Sequence, residues 1–72
     1  MTRDDTNDML KRVAYFYKDK LMVHVSLKGT SQFYNGVITE IADPEFFIIN
    51  DRVNGEMVVF FQELKFVERF RG

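Results

Sequence analysis

The side chains that could carry out chemistry are few in this chain, and their types and spacing do not form a catalytic set. His24 is the single histidine, and there is no cysteine, so a thiolate nucleophile, a disulfide and a cysteine metal site are excluded. The carboxylates are scattered, and neither a serine–histidine–aspartate arrangement nor a phosphate-binding glycine loop is present. We therefore expect a protein that is not an enzyme and that uses no metal ion and no cofactor.

Aromatic side chains are the second chemical feature, since the 72 residues include eight phenylalanines and three tyrosines. Each ring buries roughly 150–250 Å² when it is fully covered, and so small a domain buries only about 60% of the surface of its unfolded chain. Some rings must therefore be exposed or lie against another chain. With disulfides and metals excluded, association of subunits is the remaining common way to stabilise a domain of this size.

Charge and hydropathy limit the partners of the chain. The formal net charge is −1 and the isoelectric point is about 5.7, so any RNA binding must use a local patch or base stacking rather than a global positive field. No apolar run reaches the roughly 18 residues needed to span a membrane, and the acidic, polar start does not resemble a signal peptide. We expect a cytoplasmic protein with no membrane partner.

The apolar pattern predicts a single domain over residues 1–72, with one helix followed by strands. A helical stripe predicts a helix over about residues 5–17, with flexibility over residues 1–7. That stripe consists of Met9, Leu10, Val13, Phe16 and Tyr17. Alternating and two-faced apolar segments, separated by turn residues, then predict strands at about 21–28, 32–42, 46–49, 56–61 and 64–70.

Turn residues indicate how these strands are arranged. Asn54-Gly55 is a strong hairpin signal in which both residues would take positive φ, and Gly36 lies inside the second strand, where glycine often marks a sharp bend. Short antiparallel strands in a small chain usually close into a barrel. The prediction is a mainly β fold, in which the helix precedes a strongly bent, five-stranded antiparallel barrel of the SH3-like kind over about residues 21–70.

The last three strands carry apolar residues on both faces. A barrel this short seldom closes fully, and the fourth and fifth strands would then form an edge that offers unpaired backbone groups to a neighbouring subunit. Such a contact between different surfaces generates a ring when the rotation closes. The residues predicted to form this subunit interface are Met57, Val58, Val59, Phe60, Phe61, Phe66 and Phe70.

At this point the chain resembles the Sm and Sm-like family, including its bacterial Hfq branch, over about residues 8–70. The resemblance rests on the hydrophobic pattern of residues 23–27, 34–38 and 41–43, which includes Gly36 and Asp43, and more weakly on residues 58–67. It implies a short N-terminal helix, a five-stranded bent barrel, and rings of six or seven subunits that bind RNA, often rich in uridine.

The resemblance also implies two RNA-binding loops. The first follows Asp43, where the family's stacking position falls on Glu45 or Phe46 and its base-reading asparagine falls near Phe47. The second normally carries Arg-Gly or Lys-His. In this chain that stretch, residues 60–63, reads Phe-Phe-Gln-Glu and has no basic residue, so the usual uridine pocket lacks its cation.

Each candidate RNA contact has a structural alternative. Phe46 and Phe47 could stack on bases, or one could face the core and the other a neighbouring subunit. Asn50 and Arg52 could contact a base edge and a phosphate, or belong to a turn with a local ion pair. Gln62 could hydrogen-bond a base or stabilise the corner between two strands.

Two hypotheses follow from the sequence. In the first, the chain forms a homo-oligomeric Sm-like ring that binds RNA as a chaperone or scaffold. In the second, the same ring is a protein-interaction scaffold without uridine-type RNA binding. The hydrophobic pattern favours the first hypothesis. The second is favoured by the acidic net charge of the chain and by the lack of a basic residue in the second loop.

Overall fold

One helix and five strands follow each other in the predicted order. The computed structural model describes residues 3–42 and 44–70, with side chains from Asp8 onward. The elements are the helix α1 (Arg3–Lys18), the strands β1 (Met22–Leu27), β2 (Phe33–Ala42), β3 (Phe46–Asp51), β4 (Gly55–Phe60) and β5 (Leu64–Arg69), and a 3-10 turn at Phe61–Glu63. The prediction of an N-terminal helix and a mainly β antiparallel fold is therefore confirmed.

The observed bounds differ from the predicted ones by at most two residues. Of residues 1–7, for which the sequence predicts flexibility, Met1 and Thr2 lie outside the described residues, and α1 begins at Arg3. Strand β3 continues two residues further than predicted, because Asn50 and Asp51 still pair with residues of β4. The predicted strand ends at residue 49 because polar residues such as Asn50 and Asp51 are typical of turns.

The five strands form one antiparallel sheet in the order β4-β3-β2-β1-β5. Strands β4 and β5 lie at its two edges, and within the described part of the chain they do not pair with each other. The sheet is therefore open, and the predicted barrel is not closed within one chain. The expectation that the fourth and fifth strands would be the edges is confirmed.

The core lies between α1 and one face of the sheet. The helix contacts β2, β5 and the 3-10 turn, and its Arg12 Nη1 donates to the carbonyl oxygen of Val67 at 3.5 Å. The buried apolar residues are Val13, Phe16, Val23, Val25, Ile38, Phe47, Ile49, Val59, Phe61, Leu64 and Val67. Tyr17 was predicted to lie on the apolar stripe of α1, but it is exposed.

Candidate functional site

An apolar patch covers the outer side of the edge formed by β3 and β4. Cross-strand pairing places Phe46 opposite Phe60 and Ile48 opposite Val58, and the rings of Phe46 and Phe60 meet edge to face with centroids 5.7 Å apart. Val58 is 50% exposed and Phe60 is 41% exposed. We call these four residues the β4 edge patch. It adjoins a strand whose outer backbone groups have no partner strand in the described chain.

The other predicted interface residues fall into two groups. Val59 and Phe61 are buried in the core and Met57 packs against it, so their side chains are not offered to a second chain. Phe66 and Phe70 are half-buried near the β5 edge. The prediction assigned all of residues 57–61 to the interface. In a strand, however, only every second side chain lies on the outer face.

The two loops singled out by the family resemblance meet at one end of the sheet. Phe61 donates its backbone N–H to the carbonyl oxygen of Glu45 at 2.9 Å, which ties the 3-10 turn to the turn between β2 and β3. Pro44, Glu45, Phe60 and Gln62 line a shallow surface groove there, which we call the turn groove. Glu45 and Gln62 are thus brought together beside an exposed aromatic ring, and none of the described residues that line the groove is basic.

The adjacent phenylalanines Phe46 and Phe47 point in opposite directions. Phe47 is completely buried, and its ring packs on Phe61 with centroids 5.3 Å apart, so it presents no surface to a base. Phe46 is half-buried on the outer face and remains a stacking candidate. Asp43, the other residue predicted in this loop, lies outside the described residues.

Asn50 and Arg52 lie near the opposite end of β3 from the turn groove. Six residues of strand span roughly 20 Å, so these two side chains and the groove do not form one site. Asn50 is exposed and pairs across the strands with Glu56. Arg52 is exposed, and its guanidinium carbon lies 5.7 Å from the centroid of the Phe70 ring, a distance typical of a cation–π contact.

Asp51, between these two residues, holds the loop that joins β3 to β4. Its carboxylate accepts hydrogen bonds from the backbone N–H groups of Asn35 at 2.8 Å, Val53 at 3.1 Å and Asn54 at 2.8 Å, and from Asn54 Nδ2 at 3.0 Å. Burial raises the pKa of this carboxyl, but the four hydrogen bonds to its charged form outweigh that effect and hold the pKa below 3.8. The turn after β3 is therefore organised by a buried carboxylate, and the side chains of Asn50 and Arg52 make none of these four hydrogen bonds.

A row of aromatic rings on the outer face of β2, β1 and β5 was not predicted as a site. The His24 ring lies between Phe33 and Phe66, with centroids 5.2 Å and 5.9 Å away, and we call these three residues the aromatic row. His24 lies on the outer face, because its chain neighbours Val23 and Val25 are both buried in the core. The contacts depend on strand pairings across the sheet, which the sequence pattern did not specify.

Comparisons with models of protein families, with curated proteins and with solved structures found no match to this chain. Within residues 3–42 and 44–70, no helix is long and apolar enough to cross a membrane. Among the described side chains, those of residues 8–42 and 44–70, no group of three or more histidine, cysteine, aspartate or glutamate residues is placed to hold a metal ion.

Proposed function

We propose that this chain is a subunit of an Sm-like ring that binds single-stranded RNA as a chaperone or scaffold. The observation that carries the proposal is the open sheet, whose two edges are different strands, β4 and β5. Unpaired strand edges are templates for strand addition between chains. An edge of one kind that meets an edge of the other kind makes a heterologous contact, which closes into a ring when the rotation permits.

The β4 edge patch supports association through this edge. Val58 and Phe60 each expose two fifths or more of their surface beside the unpaired strand, and Phe66 is half-buried near the other edge. Covering such apolar area is favourable by about 25 cal/mol for each Å² removed from water. A second chain that added a strand at β4 would satisfy backbone groups and cover Val58 and Phe60 in the same step.

The turn groove supports RNA as the ligand of the assembled ring. Phe46, which follows Glu45 in the chain, offers ring surface for base stacking beside the groove, and the Gln62 amide can both donate to and accept from a base edge. The contact in a single groove would be weak, because its four described lining residues include no cation. A ring repeats the groove in every subunit, and several weak contacts on one strand of RNA raise the total affinity steeply.

The second candidate function is a ring that binds protein instead of RNA. The observation in its favour is the charge of the turn groove, where Glu45 is the one charged residue among the four lining residues. A carboxylate repels phosphate, whereas it can pair with a basic segment of a partner protein.

The assembly is tested by size-exclusion chromatography with light scattering on the full chain. We expect a mass several times that of the 8.6 kDa subunit, stable on dilution through the micromolar range. A protein that stays at 8.6 kDa when concentrated would contradict the ring and with it both candidate functions.

RNA binding is tested by fluorescence anisotropy with labelled oligo-U and oligo-A at low and moderate salt. We expect binding that weakens as salt rises, and Gln62→Ala should weaken it roughly three- to tenfold, the range for one hydrogen bond. Gln32→Ala is the matched control, because Gln32 is an exposed glutamine in the turn between β1 and β2. Flat traces for both oligomers at low salt would contradict RNA binding and favour the protein scaffold.

A further inference from the structure

The aromatic row presents open ring surface on a part of the sheet that the turn groove does not reach. Strand pairing places Ser26 of β1 directly opposite both Phe33 of β2 and Phe66 of β5, so the small serine lies between two large rings and His24 lies beside them. Phe33 is 55% exposed. Neighbouring strands lie roughly 5 Å apart. Rings on adjacent strands can therefore each stack on one of two successive unpaired bases.

His24 is held in one orientation by a chain of hydrogen bonds. Its Nδ1 lies 2.6 Å from the Oδ1 of Asn35, so this contact fixes the ring and occupies Nδ1. Asn35 is itself fixed, because its backbone N–H donates to Asp51 and its carbonyl oxygen accepts from the N–H of Arg52. The described residues supply no hydrogen bond to His24 Nε2, which leaves that atom for a ligand. A purely apolar subunit contact would not require a histidine held in this way.

A guanidinium group lies at one end of the aromatic row. His24 lines a surface cleft together with Glu68, Arg69 and Phe70, and the guanidinium of Arg52 lies against the Phe70 ring. Strand pairing places Glu68 opposite His24 on the outer face and Arg69 opposite the buried Val23, so the guanidinium at this end is that of Arg52. Guanidinium groups bind phosphate oxygens and also stack on planar rings.

We propose that the aromatic row is a second binding site, at which unpaired bases of single-stranded RNA stack on Phe33 and His24 while Arg52 contacts a backbone phosphate. Stacking on aromatic rings is tolerant of base identity, so this site accepts uridine and adenosine alike. The proposal rests on the proposed RNA binding, but it requires neither the ring nor the turn groove.

The test compares Phe33→Leu with Tyr15→Leu in the full chain, using labelled oligo-U and oligo-A. Tyr15 is 56% exposed on α1, so it matches Phe33 in exposure but lies outside the aromatic row. We expect Phe33→Leu to weaken binding of both oligomers about tenfold, which is typical for the loss of one stacked base. Tyr15→Leu should leave both affinities unchanged.

A second readout uses the fact that His24 is the single histidine in the chain. Its ring carbon and proton resonances can be followed by NMR without assignment of other side chains, and an added base that stacks on the row should shift them upfield. Arg52→Gln should weaken binding, and the affinity should then depend less on salt concentration because one phosphate contact is lost.

Failure of this site is distinguishable from failure of the proposed function. If Gln62→Ala weakens oligomer binding while Phe33→Leu and the His24 signals are unaffected, the aromatic row is not an RNA site, although RNA binding itself stands. If Phe33→Leu lowers the mass of the assembly and leaves RNA affinity unchanged, the row is a contact between protein chains and the proposal is wrong. If neither oligomer binds the unmodified protein, the second site and RNA binding by the ring are both contradicted.

Discussion

Gly36 in β2 approaches the backbone of Asn50 in β3 so closely that a Cβ atom at position 36 would lie 1.9 Å from the Asn50 carbonyl oxygen. The obstacle is backbone in a paired strand, which cannot move aside as the end of a flexible side chain could. We therefore expect Gly36→Ala to lower the free energy of unfolding by about 3 kcal/mol or more, at the upper end of the cost of overpacking. Urea unfolding monitored by circular dichroism measures this.

Gly29→Ala is the control for this substitution. Gly29 has φ of 69°, and a Cβ there would meet no atom within 4 Å, so the change costs only the strain of the left-handed region, roughly 1–2 kcal/mol. If Gly36→Ala were no more destabilising than Gly29→Ala, the close approach between β2 and β3 would not exist as described.

The Asp51 carboxylate should make stability depend on pH in the acidic range. Burial raises the pKa of Asp51, but its four hydrogen bonds lower the pKa by more than burial raises it. The pKa in the folded protein therefore lies below the ordinary 3.8. A group with a lowered folded pKa stabilises the fold above the unfolded pKa, and this contribution is lost as pH falls through the folded pKa. We expect Asp51→Asn to cost roughly 2–4 kcal/mol near neutral pH, with a cost that shrinks below about pH 4.

Chemical denaturation of both proteins at several pH values from about 7 down to about 2.5 measures this difference. Asp19→Asn is the matched control, because Asp19 is an exposed carboxylate in the turn after α1, and its effect should be small throughout. A cost of Asp51→Asn that stayed constant down to the lowest pH would show that the charge of Asp51 does not stabilise the loop.

The helix and the strands could be predicted from the sequence because each produces its own periodic pattern of apolar residues. Helical spacing around Val13 and Phe16 marked α1, and the alternation of residues around Val23 and Val25 marked β1, because each pattern follows from the geometry of one element alone. The exact turn at the end of β3 was missed. Of the predicted Asn54-Gly55 pair, only Gly55 has positive φ, because the Asp51 carboxylate captures the N–H groups of Val53 and Asn54 and shapes a longer loop.

The candidate sites were less predictable because they depend on which strands are neighbours. The sequence placed Glu45 and Gln62 in two loops through a family resemblance, and the hydrogen bond between Phe61 and Glu45 joins those loops. The aromatic row had no comparable signal, since Phe33 and Phe66 meet His24 only through the pairing of β1 with both β2 and β5. Similarly, a run of two phenylalanines does not reveal which ring faces the core.

Phe46 and Phe47 should therefore differ sharply in their effect on stability. Phe47 is completely buried against Phe61, so Phe47→Ala should cost about 3–5 kcal/mol through lost burial and the cavity left behind. Phe46→Ala removes a half-buried ring from the outer face and should cost only about 1 kcal/mol. Thermal and urea unfolding of the two variants measure the difference. Equal costs, or a larger cost for Phe46→Ala, would mean that the directions of the two side chains are exchanged.

Association through the β4 edge patch predicts that Val58→Asp separates the subunits without unfolding them. Val58 is 50% exposed on an edge strand, so a carboxylate there stays hydrated in the single chain, but in an apolar contact it would be buried without a partner. We expect the variant to keep its β circular dichroism and to elute with a mass near 8.6 kDa at concentrations where the unmodified protein is assembled. Phe60→Asp should act in the same way.

Val53→Asp controls for the added charge, because it makes the same substitution at a residue that is 89% exposed in the loop between β3 and β4. Its side chain lies off the edge patch, so the assembled mass should be unchanged. A folded Val58→Asp protein with the mass of the unmodified assembly would place the subunit contact elsewhere. Dissociation by Val53→Asp and Val58→Asp alike would indicate that net charge, rather than the β4 edge, controls association.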